Sequence, residues 1–436
     1  QKPIMEAPEW GYWDRDQIYD AYEGNYIGNS RQIMEYQFYE DMRSSSLRDR
    51  LNMFWANHFV TQENLIKKPP YLFQQYSMRQ THAIGNFKAF VRAVGLDPSM
   101  LLYLNGIDNE AGSPNENFAR ELYELFTLGV DNGYTERDIE ETARALTGYN
   151  SFESTWGKIL FNEKGTFDDG EKTIFGQTGN WGYDNVIDIL FEQKGPLIAR
   201  YICEKFYTYF ISLAVNDAIV DELAQTFLDN DFEIAPVMRQ LFKSEHFFDD
   251  LSIGTLIKSP MDLIITLQNE LEMSFEGSDA YDSDDYTLNR SAYLISTYLS
   301  MRVFDPPNVF GWQGGTSWLN SVTFPERWMR IRHVLINQKR NNDADPYEVF
   351  EAFARRLFDK NEKDPAVIAK GIVDHFLSVE LASASDYDDA ITIFKGNIPD
   401  NYYEDGTWSL DYGTLGDQVY DLFFNYIIIT PEFQIK

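Results

Sequence analysis

Between Ser113 and Phe126 the chain reads Ser-Pro-Asn-Glu-Asn-Phe-Ala-Arg-Glu-Leu-Tyr-Glu-Leu-Phe, and no other stretch limits the accessible folds as much. Ser113 with Glu116 three residues on matches a capping box, and Pro114 falls at the first helical position, where its missing N–H costs nothing. At about 100° per residue, Phe118, Leu122, Leu125 and Phe126 share one face, while Glu116, Asn117, Arg120, Glu121 and Glu124 fill the opposite arc. Gly129 and Gly133 punctuate the far end. Thr135 then caps a second helix, 136–147, with Asp138 at its third position, and Gly148 closes it. Two capped helices joined by a short turn make a helical hairpin.

The polar arc of the first helix is the densest group of reactive side chains in the sequence. Such an arc is ordinarily a solvated face, each i,i+4 pair contributing a few tenths of a kcal/mol. Here Asn115 and Asn117 are mediocre helix formers, and only Arg120 lies among three mutually repelling carboxylates. That crowding points to a compensating cation, substrate or proton.

A chain of 436 residues with 44% hydrophobic residues has ample material for a core, either as one large helical body or as two or three domains. Its net charge of −32 repels phosphate backbones and anionic lipid, so nucleic acid and membrane surfaces are poor partners. No run of about 18 apolar residues is present, so no membrane span is expected. The longest apolar stretch, 422–429, reads as a buried C-terminal helix. Cys203 is the only cysteine, which excludes disulfide frameworks and thiolate zinc sites, and its apolar setting suits a packed thiol. The chain opens at Gln1 with no Met and no signal-peptide stretch, as either a processed or a shortened N-terminus would.

In chain order, residues 1–30 form an aromatic lead-in carrying Trp10 and Trp13, and residues 31–436 read as one mainly helical domain. Helical patterns cover 31–42, 47–61, 71–81, 86–93 and 97–104, with His58 on the apolar stripe of the second beside Asn57. Residues 150–182 are a long loop or small two-stranded excursion, functional by its length. Helices resume at 184–192, 196–213, 218–228, 235–243, 260–272, 291–301, 325–338, 346–358, 365–377 and 416–429. Further insertions fall near 276–288, an acidic loop, near 303–320, a Pro/Gly loop carrying Trp312 and Trp318, and near 386–412. The fold class expected is all-α, a large irregular multi-helix body.

Several blocks together resemble the bacterial family catalogued as domain of unknown function 1800. They are Phe54-Trp55-Ala56-Asn57-His58-Phe59, His82 to Phe87, Met100 to Leu104, the run from Pro114 to Gly148, Asp168 to Thr173, Lys258-Ser259-Pro260, Pro306 to Trp318 and Pro431-Glu432-Phe433-Gln434. The resemblance implies a mainly helical, exported bacterial protein, periplasmic, cell-surface or secreted, often encoded beside a sulfatase-like partner family, with no assigned activity. Two departures stand out: the family's histidine- and arginine-rich lead helix is not evident, and Phe167 stands where a histidine is common.

Two functions fit. The first is a hydrolase or lyase acting on a glycan or similar extracytoplasmic polymer. Glu121 and Glu124 would share a proton as acid and base, His58 would shuttle it, and Asp168 would complete the catalytic set. Asn57, Asn115, Asn117, Arg120 and Lys172 would bind substrate, and Trp312 or Trp318 would stack on a sugar ring. A divalent cation held by Glu121, Glu124 and Asp168 is a variant of the same site, its identity left open. The second function is a non-catalytic binding or structural component of a cell-surface or secretion assembly, in which the same polar cluster is a buried network fixing two helices. Its partner would be another exported protein.

Overall fold

Short polar side chains set where helices start. Asn86, Asp97, Asn216 and Asp364 each accept a hydrogen bond from a first-turn N–H, and Thr135 with Asp138 and Ser259 with Asp262 close two-way capping boxes. The computed structural model describes residues 4–22, 26–44, 46–155, 157–273, 284–341 and 345–436. Over these the fold is all-α, interrupted by two small antiparallel sheets. The chain packs as two units, one of residues 1–247 with 303–312 and the other of residues 248–302 with 313–436.

The first unit contains α1 (Arg15–Tyr22), α2 (Tyr26–Arg43), α3 (Leu47–His58), α4 (Glu63–Ile66), α5 (Pro69–His82), α6 (Phe87–Gly95), α7 (Pro98–Tyr103), α8 (Asn117–Glu121) and α9 (Glu136–Ala145). The excursion that follows is β1 (Ser151–Phe152), β2 (Ile159–Leu160), α10 (Glu163–Thr166), β3 (Lys172–Ile174) and β4 (Gln177–Gly179). Strand β1 pairs with β2, and β3 with β4 in the register Lys172↔Gly179 and Ile174↔Gln177. The β3–β4 turn, Phe175-Gly176, has φ of 48° and 79°, the doubly left-handed geometry of a tight hairpin, which Gly176 adopts without strain. Three helices complete the unit: α11 (Tyr183–Phe210), α12 (Asp217–Asp229) and α13 (Ile234–Lys243).

Its core is aromatic. Trp55 stacks on Phe87 at 5.6 Å, Phe59 meets Phe90 edge-on at 4.9 Å, and the indole N–H of Trp55 reaches the Ala83 carbonyl at 2.9 Å. Cys203 is fully buried, and desolvation raises its thiol far above its ordinary value. The lead-in lies on α5, with Trp10 and Tyr12 meeting the Phe73 ring edge-on at 6.3 and 5.7 Å.

Four local expectations are corrected. The Ser113–Glu116 capping box does not form: Ser113 pairs back to Glu110, and the helix begins only at Asn117. The pieces 184–192 and 196–213 are one 28-residue helix, α11, with Pro196 inside it. A proline forfeits one hydrogen bond there, but Ile189, Leu190, Ile198 and Ala199 are buried on both sides of it, and packing outweighs the loss. Residues 386–412 are largely helical, because Ser383 and Asp386 form a capping box that starts a helix. The C-terminal helix ends at Asn425, followed by a 3₁₀ turn at Ile427–Ile429.

The second unit holds α14 (Pro260–Glu270), α15 (Asp284–Tyr298), α16 (Thr323–Asn341), α17 (Glu348–Leu357), α18 (Pro365–Phe376), α19 (Ala384–Lys395), α20 (Asp400–Glu404) and α21 (Leu415–Asn425). Phe350, Phe353, Phe376 and Phe423 form its aromatic centre, the closest ring pair being Phe376 and Phe423 at 4.7 Å. Most of the acidic insert expected at 276–285 lies outside the described residues.

Candidate functional site

The helix that opens with α8 does not stay α-helical. From Leu122 to Thr127 it widens into a π-helix, with the Leu128 N–H reaching back five residues to the Tyr123 carbonyl at 2.8 Å. Segments of this kind are rare and recur at functional sites. Before the widening, Asn115 and Asn117 build the helix start: the Asn115 side chain accepts the Asn117 N–H at 3.0 Å, and the Asn115 N–H is held by Asn109 at 2.9 Å. Asn109 also donates to the Ala143 carbonyl at 2.9 Å, so one buried amide ties the start of α8 to the end of α9.

Arg120 is the hub of the polar arc. Its guanidinium reaches Glu116 at 3.1 Å and Glu124 at 3.4 Å, and grips both oxygens of Glu136 at 3.0 and 2.7 Å. Hydrogen bonding to Glu136 is the first cause that raises the Arg120 pKa, and Arg120 in turn lowers that of Glu136. Glu121 stands apart, with no hydrogen bond or ion pair among the described residues. Burial, then the charge of Glu124, raises its carboxyl pKa.

His58 and Tyr201 serve the end of the π-helix. His58 Nε2 lies 3.0 Å from the Phe126 carbonyl, and the Tyr201 hydroxyl donates to the Leu125 carbonyl at 2.9 Å. A carbonyl partner requires the proton on Nε2, so the imidazole is a donor to the backbone. Stacked on Phe54 and crossed by Trp55 and Phe59, His58 is only 5% exposed. Burial, then the charge of Lys205, holds its pKa well below the ordinary value, so it stays neutral.

Asp168 and Lys172 belong to a third setting. Arg144 on α9 takes both oxygens of Asp168, at 2.8 and 3.2 Å, and also Glu141 at 2.9 Å. This pairing is the first cause that lowers the Asp168 pKa. The Lys172 ammonium is buried, donating to the Asp168 and Gly170 carbonyls and lying 4.9 Å from the centre of the Phe167 ring. Phe167 thus offers that ammonium an aromatic face. Asp138 accepts the Phe175 N–H at 2.8 Å and Glu141 the Thr173 N–H at 3.0 Å, which pins the β3–β4 hairpin along α9.

Asn57 faces a different part of the first unit, the segment 303–312. Its side chain accepts the Trp312 N–H at 2.7 Å and donates to the Trp312 carbonyl at 3.0 Å. Gly311 is required beside it: its φ is 72°, and a Cβ there would lie 2.2 Å from Asn57 Oδ1. Gln62 donates to the Pro306 carbonyl at 2.6 Å, Glu63 N–H to the Phe304 carbonyl at 2.8 Å, and Asn64 to the Asp305 carboxylate. Burial, then Glu121 and Asp305, push the Tyr103 phenol up to about 12, so both carboxylates bear on one hydroxyl. Asp305 is itself raised, chiefly by burial.

Of the residues expected to act together, the structure joins Arg120 with Glu124 through an ion pair and keeps Glu121 next to them in sequence. Among the described residues no hydrogen bond or ion pair links His58, Asp168 or Lys172 to that group. The carboxylates of the cation variant are divided likewise, and among the described residues no group of three His, Cys, Asp or Glu side chains is arranged to hold a metal. Trp312 and Trp318 are 6% and 8% exposed, and Trp318 lies in the second unit. Sequence reasoning did not single out Tyr103, Asn109, Asp305 or Arg144. Tyr103 and Arg144 sit in blocks that carry the family resemblance, and Asp305 immediately precedes another, which was the available signal. A family model described as "Protein of unknown function (DUF1800)" matches residues 16–435. Comparison with curated proteins and with solved structures returns no match.

Proposed function

The chain belongs to the DUF1800 family over nearly its whole length, and from that premise we propose that it is an exported bacterial protein that cleaves a glycan or similar extracytoplasmic polymer by hydrolysis or elimination. One observation carries the reading. Glu121 is half-buried and unpaired among the described residues, while its helix neighbours Glu116 and Glu124 are engaged by Arg120. A carboxyl whose pKa is raised by desolvation is better suited than its paired neighbours to give a proton to a leaving-group oxygen. Glu124, three residues along the same helix and held by Arg120, supplies the second carboxylate such chemistry needs, as base toward water or toward a carbon-bound proton.

The test is Glu121→Gln, which keeps shape and removes the proton. Turnover on a polysaccharide panel is expected to fall about 10²–10⁴-fold, with circular dichroism and melting temperature essentially unchanged. Equal turnover by the variant, or none by the wild type on any polymer, would overturn the reading.

A second reading, a non-catalytic component of a surface or secretion assembly, is favoured by the commitment of His58 and Lys172 to backbone carbonyls and of the Asp168 carboxylate to Arg144 and the Gly170 N–H. On that reading Glu121→Gln leaves capture of an exported partner protein intact.

A further inference from the structure

Two sequence blocks that the proposed chemistry leaves aside, Lys258-Ser259-Pro260 and Pro431-Glu432-Phe433-Gln434, meet in the second unit. The chain pairs with itself there as a short antiparallel ladder. Lys258 N–H reaches the Gln434 carbonyl at 2.8 Å, Lys436 N–H reaches the Leu256 carbonyl at 2.8 Å, and Ile257 bridges Ile435. Lys258 Nζ donates to the Phe433 carbonyl at 3.0 Å and lies 4.6 Å from the centre of the Phe433 ring. Arg327 on α16 closes the arrangement, Nε donating to Gln434 Oε1 at 2.7 Å and Nη2 to the Lys258 carbonyl at 2.9 Å.

This cluster holds two buried cations. Lys258 is 4% exposed and Arg327 1%, so both cations are out of water. The carboxylate that bears on them is Asp262, and its Oδ2 already receives the Ser259 N–H, the Ser259 hydroxyl and Lys436 Nζ at 2.6 Å. Burial drives the Lys258 amine down to about 8, with Arg327 and Lys436 pushing the same way against Asp262. Most telling is Arg327 Nη1: it is sealed from solvent and has no hydrogen-bond partner. A buried guanidinium with an unpaired N–H is costly unless something accepts from it.

We propose that Arg327 Nη1, with the charge of Lys258 beside it, binds a small monovalent anion of halide size, which fastens residues 431–436 to 256–258. Nε and Nη2 are already engaged by Gln434 and the Lys258 carbonyl, so the forked two-point grip by which a guanidinium favours a carboxylate or phosphate is not available, and a single-point acceptor is favoured.

The test uses the full chain and bromide as the probe. Melting temperature is measured in sodium bromide against sodium gluconate at fixed ionic strength, gluconate being a far bulkier anion. Bromide should give a saturable rise of about 1–3 °C by tenfold above its dissociation constant. In crystals soaked with bromide, an anomalous peak should lie within about 3.5 Å of Arg327 Nη1. Arg327→Gln, where it folds, should abolish the bromide response; should it not fold, the two wild-type measurements decide. Superimposed bromide and gluconate curves, or an ordinary water and no anomalous signal at Nη1, would overturn the proposal.

Discussion

An imidazole offers two nitrogens, and in His58 one of them is committed to the Phe126 carbonyl. A side chain that only donates to a carbonyl can be replaced by another donor of similar reach. His58→Gln should therefore keep most of the stability and any activity, whereas His58→Leu should cost about 1–3 kcal/mol by leaving that carbonyl unpaired in the core. Urea melts of the two variants check this; loss of turnover in a well-folded Gln variant would instead return His58 to proton transfer. The apolar stripe that carries His58 is readable from its spacing, and so is its burial. Its partner is not, because Phe126 lies 68 residues away and offers a free carbonyl only where the helix widens and ends. Arg120 is similar. Its i,i+4 partners Glu116 and Glu124 can be read from the sequence, but its strongest grip is on Glu136, across the turn of the hairpin.

At the scale of elements, local chemistry was legible where one residue type had one plausible use. Thr135 and Asp138 close the expected box, and the expected β excursion is present as two short hairpins. Ser113 shows the limit. Asn109 and Asn115, each able to bond a nearby backbone N–H, take over the helix start and move it to Asn117. The segment 303–312 shows it again: Asn57 was legible as a polar residue in a notable block, but its task is to hold the backbone of Trp312 on both sides. Asn57→Ala should cost about 2–3 kcal/mol, and Gly311→Ala a comparable amount through its left-handed φ and the clash with Asn57. The double variant should cost clearly less than the sum, because both changes break one contact. Additive losses in denaturant melts would show that the two positions act independently.

Across the whole molecule, acid response can be read from a buried network in the first unit. Asp97 caps α7 through the Met100 N–H, receives Gln75, and is raised to about 7 chiefly by burial. Its ordinary value is 3.8, so between those values the folded protein holds a proton that the unfolded chain has released. The Asp97 contribution is therefore full below about pH 4 and is lost as pH rises towards 7. Asp97→Asn, which keeps the cap, should remove this slope. The difference in melting temperature between wild type and variant should shift in favour of the wild type on going from pH 7.5 to pH 4.5, and a constant difference would contradict the assignment. The sequence showed Asp97-Pro98 as a helix start, but nothing in it announced that the cap would be sealed from water. The ladder of hydrogen bonds to residues 303–312 has a consequence for biogenesis. Asn57, Gln62, Glu63 and Asn64 all hold a segment made after residue 247, so the first unit emerging from a ribosome stays unfinished on the order of seconds, its clamps open, until a stretch of the second has been synthesised. A fragment ending at residue 247 should then depend on chaperones or aggregate, while a chain carried on past Trp312 can close.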